Sequence, residues 1–351
     1  MNKARGYKKI LIVRLDRIGD VLLSTPVIKA LRSAYPDSYL SFMVRPYARE
    51  VVEGNPGLNS VMVYDKEGGE KGLFGNLKFI WRLRKERFDL ALILHPTVRA
   101  HLVTALAGIP ERIGYDKKKG FLLTKRIPHT KQFGLKHEIE YALDILKYIG
   151  VDAKDKTLYM PIQGECEDRA KDILARNGIR DSDAIIVINP GASCASKRWS
   201  AERFAKLADS LVAGRGAKIL IISGSADKDF GDRVASFMTK RHLNLSGKTT
   251  IGDIASILRR ARLFISNDSG PVHVACAVGT PAIAIFGRSD RGLSPKRWGP
   301  TGKGDVVLHK DVGCEVCLAH NCQRGFKCLE AITVEEVLAA ADKILERRYE
   351  S

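Results

Sequence analysis

Two short, almost unbroken apolar runs, Lys9-Ile-Leu-Ile-Val-Arg-Leu15 and Ala184-Ile-Ile-Val-Ile-Asn189, each open a series of apolar segments alternating with amphipathic ones. A strand with one wet face alternates apolar and polar residues. An unbroken apolar strand is covered on both faces, as in parallel sheets packed between helices. The pattern therefore predicts an α/β chain made of two doubly wound, Rossmann-like halves. In the first half the expected strands are Lys9–Leu15, Tyr39–Val44, Val61–Tyr64 and Leu90–Leu94. The helices expected with them are Val21–Ala34, Asn76–Glu86, Val98–Ala107 and Lys136–Ile149. In the second half the strands are Ala184–Asn189, Lys218–Ser223, Leu243–Leu245, Leu263–Ser266 and Ala282–Phe286. Its helices are Glu165–Asn177, Ala201–Ala213, Asp229–Thr239, Ile251–Ala261 and Pro271–Val278. Tyr159–Gly164 reads as a linker, which gives domains 1–163 and 164–333. A last helix, Val334–Arg348 within residues 334–351, is expected to pack back toward the N-terminal domain.

At 351 residues and 45% apolar composition the chain can supply a core to each half, and disorder is excluded. Its longest apolar stretch, Val272–Gly287, is too short for a bilayer span and is broken by His273, Gly279, Thr280 and Pro281. The basic start (Lys3, Arg5, Lys8, Lys9) runs into apolar residues that stop at Arg14, unlike a signal peptide, so a cytoplasmic location is expected. Residues 1–160 carry 29 basic and 17 acidic side chains, a net +12, against +6 for the remainder. A basic half favours an anionic partner, whether nucleic acid, anionic lipid or a phosphorylated substrate, and is equally compatible with plain solubility.

In doubly wound sheets ligands bind beyond the carboxyl ends of strands, so the residues there carry most weight. The first strand leads into Asp16-Arg-Ile-Gly-Asp20. Gly19 permits a tight turn, and Asp20 stands either as a helix cap or as a free carboxylate. No G-x-G-x-x-G fingerprint is present, against a classical NAD site. Three polar clusters follow strands of the second half: Asn189-Pro-Gly-Ala-Ser193 with Lys197-Arg-Trp199, Ser223-Gly-Ser-Ala-Asp227, and Asn267-Asp-Ser-Gly270 with His273. Small residues at a helix N-terminus leave amide N–H groups free for phosphate. Lys197 and Arg198 could neutralise it, and Asp227 could accept from ribose hydroxyls. The bland alternative is that Lys197 and Arg198 are solvated and His273 is an interior histidine. Three clusters in one half point to a nucleotide site.

The segments ILIVRLDRIGDVLLSTPVIKALR, INPGAS…KRWSAERFAKLA and FISNDSGPVHVACAVGTPAIAIFG, in that order, resemble glycosyltransferase family 9, the ADP-heptose:lipopolysaccharide heptosyltransferases. The resemblance covers nearly the whole chain. It implies a GT-B fold, an N-terminal acceptor domain and a C-terminal nucleotide-sugar domain facing a central cleft, and inverting transfer without a catalytic metal. It assigns Asp20 as general base and Ser193, Lys197, Asp227, Asp268, Ser269, Gly270 and His273 to the donor. Gly19, Arg99 and His137 are assigned to the acceptor. The implied partners are ADP-heptose and a lipid A–core acceptor, with peripheral contact to the anionic inner face of the cytoplasmic membrane. Ser269 stands where the family has threonine, and Arg288-Ser-Asp290 where it often has Pro-Thr-Asp.

Seven cysteines occur, and Cys314, Cys317, Cys322 and Cys328 crowd together with His320 among them. In a cytosolic chain such crowding suggests either a structural zinc knot, or four reduced thiols or adventitious disulfides. Relatives of the second-heptose type carry a similar segment, which places the resemblance closest to heptosyltransferase II. Charge and cysteines also raise nucleic-acid binding. No RNA or DNA motif is present, however, and the basic residues are dispersed, so no nucleic-acid partner is expected. Another family 9 transferase, with a different sugar or surface-glycan acceptor, is the alternative within enzymes.

Overall fold

The computed structural model describes residues 6–347; Lys3, Arg5 and Arg348, named above, lie outside them. The chain divides into two compact units, Met1–Gln132 with Lys136–Pro161, and Phe133–Leu135 with Ile162–Ser351. The division falls inside the stretch read as a linker.

The first unit holds strands β1 (Lys9–Val13), β2 (Tyr39–Val44), β3 (Ser60–Val63), β4 (Leu90–Ile93), β5 (Glu111–Asp116) and β6 (Lys125–Pro128). They form one parallel sheet in the order β3-β2-β1-β4-β5-β6. Central β1 pairs Ile10 with Leu40 on one side and with Leu90 on the other, all fully buried, which is why this strand is apolar without alternation. The helices are α1 (Ile18–Leu22), α2 (Thr25–Ala34), α3 (Leu73–Lys85), α4 (Val98–Leu106) and α5 (Glu138–Asp144). The single helix expected at Val21–Ala34 is split in two. Pro26 has no N–H to give a helix interior, so the chain restarts with Pro26 in the first turn of α2. The helix expected at Lys136–Ile149 is α5 followed by a 3₁₀ turn, Ile145–Ile149.

The second unit repeats the plan with β7 (Ile185–Asn189), β8 (Lys218–Ile221), β9 (His242–Asn244), β10 (Leu263–Asn267), β11 (Ala282–Phe286) and β12 (Val306–His309). Its order is β12-β11-β10-β7-β8-β9, so each sheet, numbered from its own first strand, runs 3-2-1-4-5-6. In that arrangement the winding reverses beside the first strand, and the crevice so created is the usual ligand site. The helices are α6 (Gly164–Arg176), α7 (Ala201–Arg215), α8 (Lys228–Phe237), α9 (Ile251–Arg260), α10 (Gly270–Val278), α11 (Pro295–Trp298), α12 (Lys327–Glu330) and α13 (Val334–Arg347). Helix α13, expected to return toward the N-terminal domain, packs instead on α7, β10 and β11. Val337, Ala341 and Ile344 bury their apolar face in one core with Trp199, Phe204 and Leu207. The Trp199 indole N–H donates to the Ile332 carbonyl at 2.9 Å and fixes the approach to that helix. Among the described residues no helix is long and apolar enough to cross a membrane.

Candidate active site

The winding of the first sheet reverses between β1 and β4, and the residues just beyond these strands form a buried charge cluster. Arg14, 1% exposed, holds three carboxylates at once. Its Nε donates to Asp16 Oδ1 at 2.7 Å, its Nη2 to Asp20 Oδ1 at 2.8 Å, and both terminal nitrogens to Glu138 Oε1 at 3.1 Å. Lys131 Nζ donates to the same Glu138 oxygen at 2.6 Å. The ammonium also lies over the rings of Tyr115 and Tyr141, 4.7 and 5.6 Å from their centroids. His95, two residues past β4, places Nδ1 3.4 Å from Asp16 Oδ2.

With all three carboxylates ionised the cluster holds three negative and two positive charges. Burial, then the neighbouring Asp16 charge, pushes the Asp20 carboxyl up to about 6 against the pull of Arg14. Asp16 is raised as well, chiefly by burial. Burial together with Arg14 and Lys131 pushes His95 down to about 3, so its imidazole is neutral at pH 7. Asp20 lies inside α1, whose cap position is Arg17, and its carboxylate faces Arg14. This geometry makes it a near-neutral proton acceptor held at the end of the central strand.

Gly19 is buried in α1, beside Asp20. His137 caps α5, where its Nδ1 accepts from the Ile139 N–H at 3.3 Å and Glu140 closes the capping box. Its neighbour Glu138 enters the charge cluster instead. Arg99 is exposed on α4 and donates to the Lys66 carbonyl at 3.4 Å, so it is not drawn into the cluster. Sequence reading missed Arg14, His95, Lys131 and Glu138. Only Arg14, a charge at the end of an unbroken buried strand, carried a local signal.

In the second unit the corresponding position lies between β7 and β10. Asn189, at the end of β7, donates to Ser266 Oγ at 3.0 Å and to Ser269 Oγ at 2.8 Å. Asn267, at the end of β10, donates to the Pro190 carbonyl at 2.7 Å and accepts from the Trp199 N–H at 3.1 Å. These buried amides tie the loop after β7, which carries Lys197, to the loop after β10, which carries Asp268; Arg288 comes in from the loop after β11. Lys197 Nζ lies 3.0 Å and Arg288 Nη2 2.7 Å from the same Asp268 oxygen, leaving a net positive site beside the N-terminus of α10. Burial, with Arg288 adding to it, lowers the Lys197 ammonium, while Asp268 holds it up. Ser269 occupies the cap position of α10 without a side-chain capping bond, Gly270 opens that helix, and His273 is buried in its first turns. A buried double cation at a helix N-terminus suits an oxyanion or diphosphate.

Ser193 is exposed on the loop after β7. Arg198, one of two cations proposed for phosphate, pairs with Asp227 at 2.5 Å and donates to the Ala192 carbonyl at 3.1 Å. A Cβ on Gly191 would meet the Asp227 side chain at 3.2 Å, so glycine there lets Asp227 lie against the β7 loop.

Cys314, Cys317, Cys322 and Cys328 line one cavity of about 180 Å³ together with Ser196 and Arg288. Four thiols are the right donors for zinc. Yet among the described residues no three His, Cys, Asp or Glu side chains are placed to hold a metal ion, and all seven cysteines are free. As placed, the sulfurs do not form the zinc knot that is one of the two readings of this segment. A Cβ on Gly287 would come within 2.8 Å of the Ser196 carbonyl, so the turns bearing Arg288 and Lys197 touch directly.

The sequence model of glycosyltransferase family 9 (heptosyltransferase) matches residues 76–327. Lipopolysaccharide heptosyltransferase 3 of Escherichia coli K12 is 27% identical over 336 residues, covering 93% of this chain and 95% of that one. The crystal structure of a family 9 glycosyltransferase from Veillonella parvula superposes with a TM-score of 0.88 at 28% identity, covering 97% of this chain and 98% of that one. The E. coli ADP-heptose lipopolysaccharide heptosyltransferase II shares the fold, with a TM-score of 0.78, 22% identity and coverage of 97% and 99%. A family match over more than two thirds of the chain, carried by a fold with a charge-poised site at each switch point, means that this protein belongs to glycosyltransferase family 9, the heptosyltransferases.

Proposed function

We propose that the enzyme transfers heptose from ADP-heptose to the inner core of lipopolysaccharide, with inversion and without a catalytic metal, in the manner of a heptosyltransferase II. Two observations carry this reading, one in each unit: a carboxylate poised near neutrality, Asp20, in the first, and a double cation at a helix N-terminus, Lys197 and Arg288, in the second. Asp20 takes the proton of the acceptor hydroxyl as that oxygen attacks the anomeric carbon. The bond from that carbon to the diphosphate oxygen breaks, and the charge it leaves is met by Lys197, Arg288 and the amide end of α10. One carboxylate acting as base, with the leaving group on the opposite face, gives inversion in a single displacement. Asp268 orients the two cations, Ser269 and Gly270 present the helix end, and Ser193 and His273 border the nucleotide. Asp227 serves the ribose, and Gly19, Arg99 and His137 the acceptor side. Arg288 supplies a second charge where a divalent ion would otherwise be needed.

The donor assignment is supported by the ADP-heptose specificity named for the heptosyltransferase II of E. coli, and the acceptor by the lipopolysaccharide named for both E. coli relatives. The net +12 of residues 1–160 suits work on a phosphorylated, lipid-anchored acceptor at the cytoplasmic face of the membrane. A thermal-shift series with ADP, ADP-heptose and the corresponding uridine compounds tests the donor. Stabilisation by the adenine compounds alone is expected, and a preference for uridine would refute the donor assignment.

A further inference from the structure

Helix α3 buries only one side. Phe79 and Leu83 enter the core of the first unit beside Tyr64, Phe88 and Ile93. On the other side Leu73, Phe74, Leu77 and Trp81 are 72%, 86%, 51% and 59% exposed. At about 100° per residue these four fall within roughly 100° of the helix circumference, a continuous apolar stripe well away from the buried face. Between stripe and core lie Lys78, Arg82 and Lys85, and Lys85 Nζ sits 3.3 Å from the Trp81 ring centroid. From Lys71 to Arg87 there are six basic residues and one acidic, Glu86.

A lone exposed leucine needs no explanation, but four large apolar side chains in one stripe mark a contact surface. The flanking charge decides what it contacts. A protein partner would bring acidic side chains to a patch of matching outline, whereas a rim of lysine and arginine beside Trp, Phe and Leu is the composition of helices lying in an anionic lipid interface. Tryptophan favours that depth because its ring is apolar and its N–H stays near the headgroups.

We propose that α3 is the element by which the first unit docks on an anionic lipid surface, with Leu73, Phe74, Leu77 and Trp81 inserted and Lys78, Arg82 and Lys85 against the headgroups. This deepens the proposed function, since a lipid-anchored acceptor requires the enzyme at the membrane. Its test reads binding rather than transfer.

The intact protein is sedimented with vesicles of phosphatidylethanolamine and phosphatidylglycerol, and separately with phosphatidylcholine alone. The wild type is expected on the anionic vesicles, less so at high salt, with the Trp81 emission shifted to the blue and the shift lost in Trp81→Phe. Phe74→Ser with Trp81→Ser is expected to weaken partition at least about tenfold while melting temperature and ADP binding stay as in the wild type. Equal partition of variant and wild type would overturn the proposal. So would binding indifferent to lipid charge, or a lipid-free dimer that itself shifts Trp81. Loss of donor binding in the thermal-shift series would instead strike the proposed function and leave this result standing.

Discussion

Replacing Asp20 by Asn separates catalysis from stability in opposite directions. The carboxyl is held at about 6, against 3.8 for a free aspartate, because burial and Asp16 oppose its charge more than Arg14 favours it. Keeping it ionised at pH 8 therefore costs the folded state up to about 3 kcal/mol. The sign follows from proton binding. Between pH 4 and 6 the folded chain holds this proton and the unfolded chain does not, so the Asp20 contribution to stability improves as pH falls through 6. Asn keeps an oxygen for Arg14 Nη2, now 2.8 Å from Asp20 Oδ1, and leaves Arg14 and Lys131 balanced by Asp16 and Glu138. The variant should thus be as stable as wild type or more so at pH 8, by up to about 3 kcal/mol, with the gain shrinking toward pH 4. Its transfer rate should fall by a factor of about 10² to 10⁴, because an amide cannot accept the acceptor's proton. Urea unfolding at pH 8 and 5, with kcat/KM across the same range, provides the assay. The acid limb near pH 6 in the wild type should be absent from the residual activity. A destabilised variant with near-normal kcat would refute the reasoning.

Three further outcomes follow from the same geometry. Glu138→Gln removes the carboxylate shared by buried Arg14 and Lys131 and should destabilise the fold by about 3 to 5 kcal/mol; a change under about 1 kcal/mol in urea unfolding would show that the pair is solvated. Lys197→Met leaves Asp268 paired with Arg288 and should weaken ADP binding about ten- to a hundredfold by calorimetry, with the melting temperature little changed; unaltered affinity would remove Lys197 from the donor site. Transfer should survive EDTA, and Cys314, Cys317, Cys322 and Cys328 should titrate as free thiols without releasing zinc; an EDTA loss reversed by magnesium, or stoichiometric zinc, would contradict this.

The doubly wound plan was legible because the central strands of both sheets are unbroken apolar runs. Three strands were not: β6 has one buried residue in four and ends in Pro128, β12 has a run of only three apolar residues, none fully buried, and β5 interleaves Glu111, Arg112 and Asp116 with its apolar residues. The split before α2 was written in Pro26, but the surrounding apolar periodicity outweighed it. At the site, the loop after β10 was readable because cap, glycine and charge lie within a few residues. The cluster around Arg14 was not. It joins residues 14, 16, 20, 95, 131 and 138, and only the sheet order brings them together. The resemblance put His137 on the acceptor side. In the fold it caps α5, and its neighbour Glu138 joins the charge cluster around Arg14.

The most direct measurement is a single reaction of the purified enzyme with ADP-heptose and a lipopolysaccharide acceptor lacking the outer inner-core heptoses. Acceptor mass, released ADP and the anomeric configuration of the new linkage are all read from it. The predicted result is one heptose gained per ADP released, with configuration opposite to that of the donor. Retained configuration would contradict the single displacement from Asp20, and no heptose gained under conditions where ADP-heptose binds would contradict the proposed transfer.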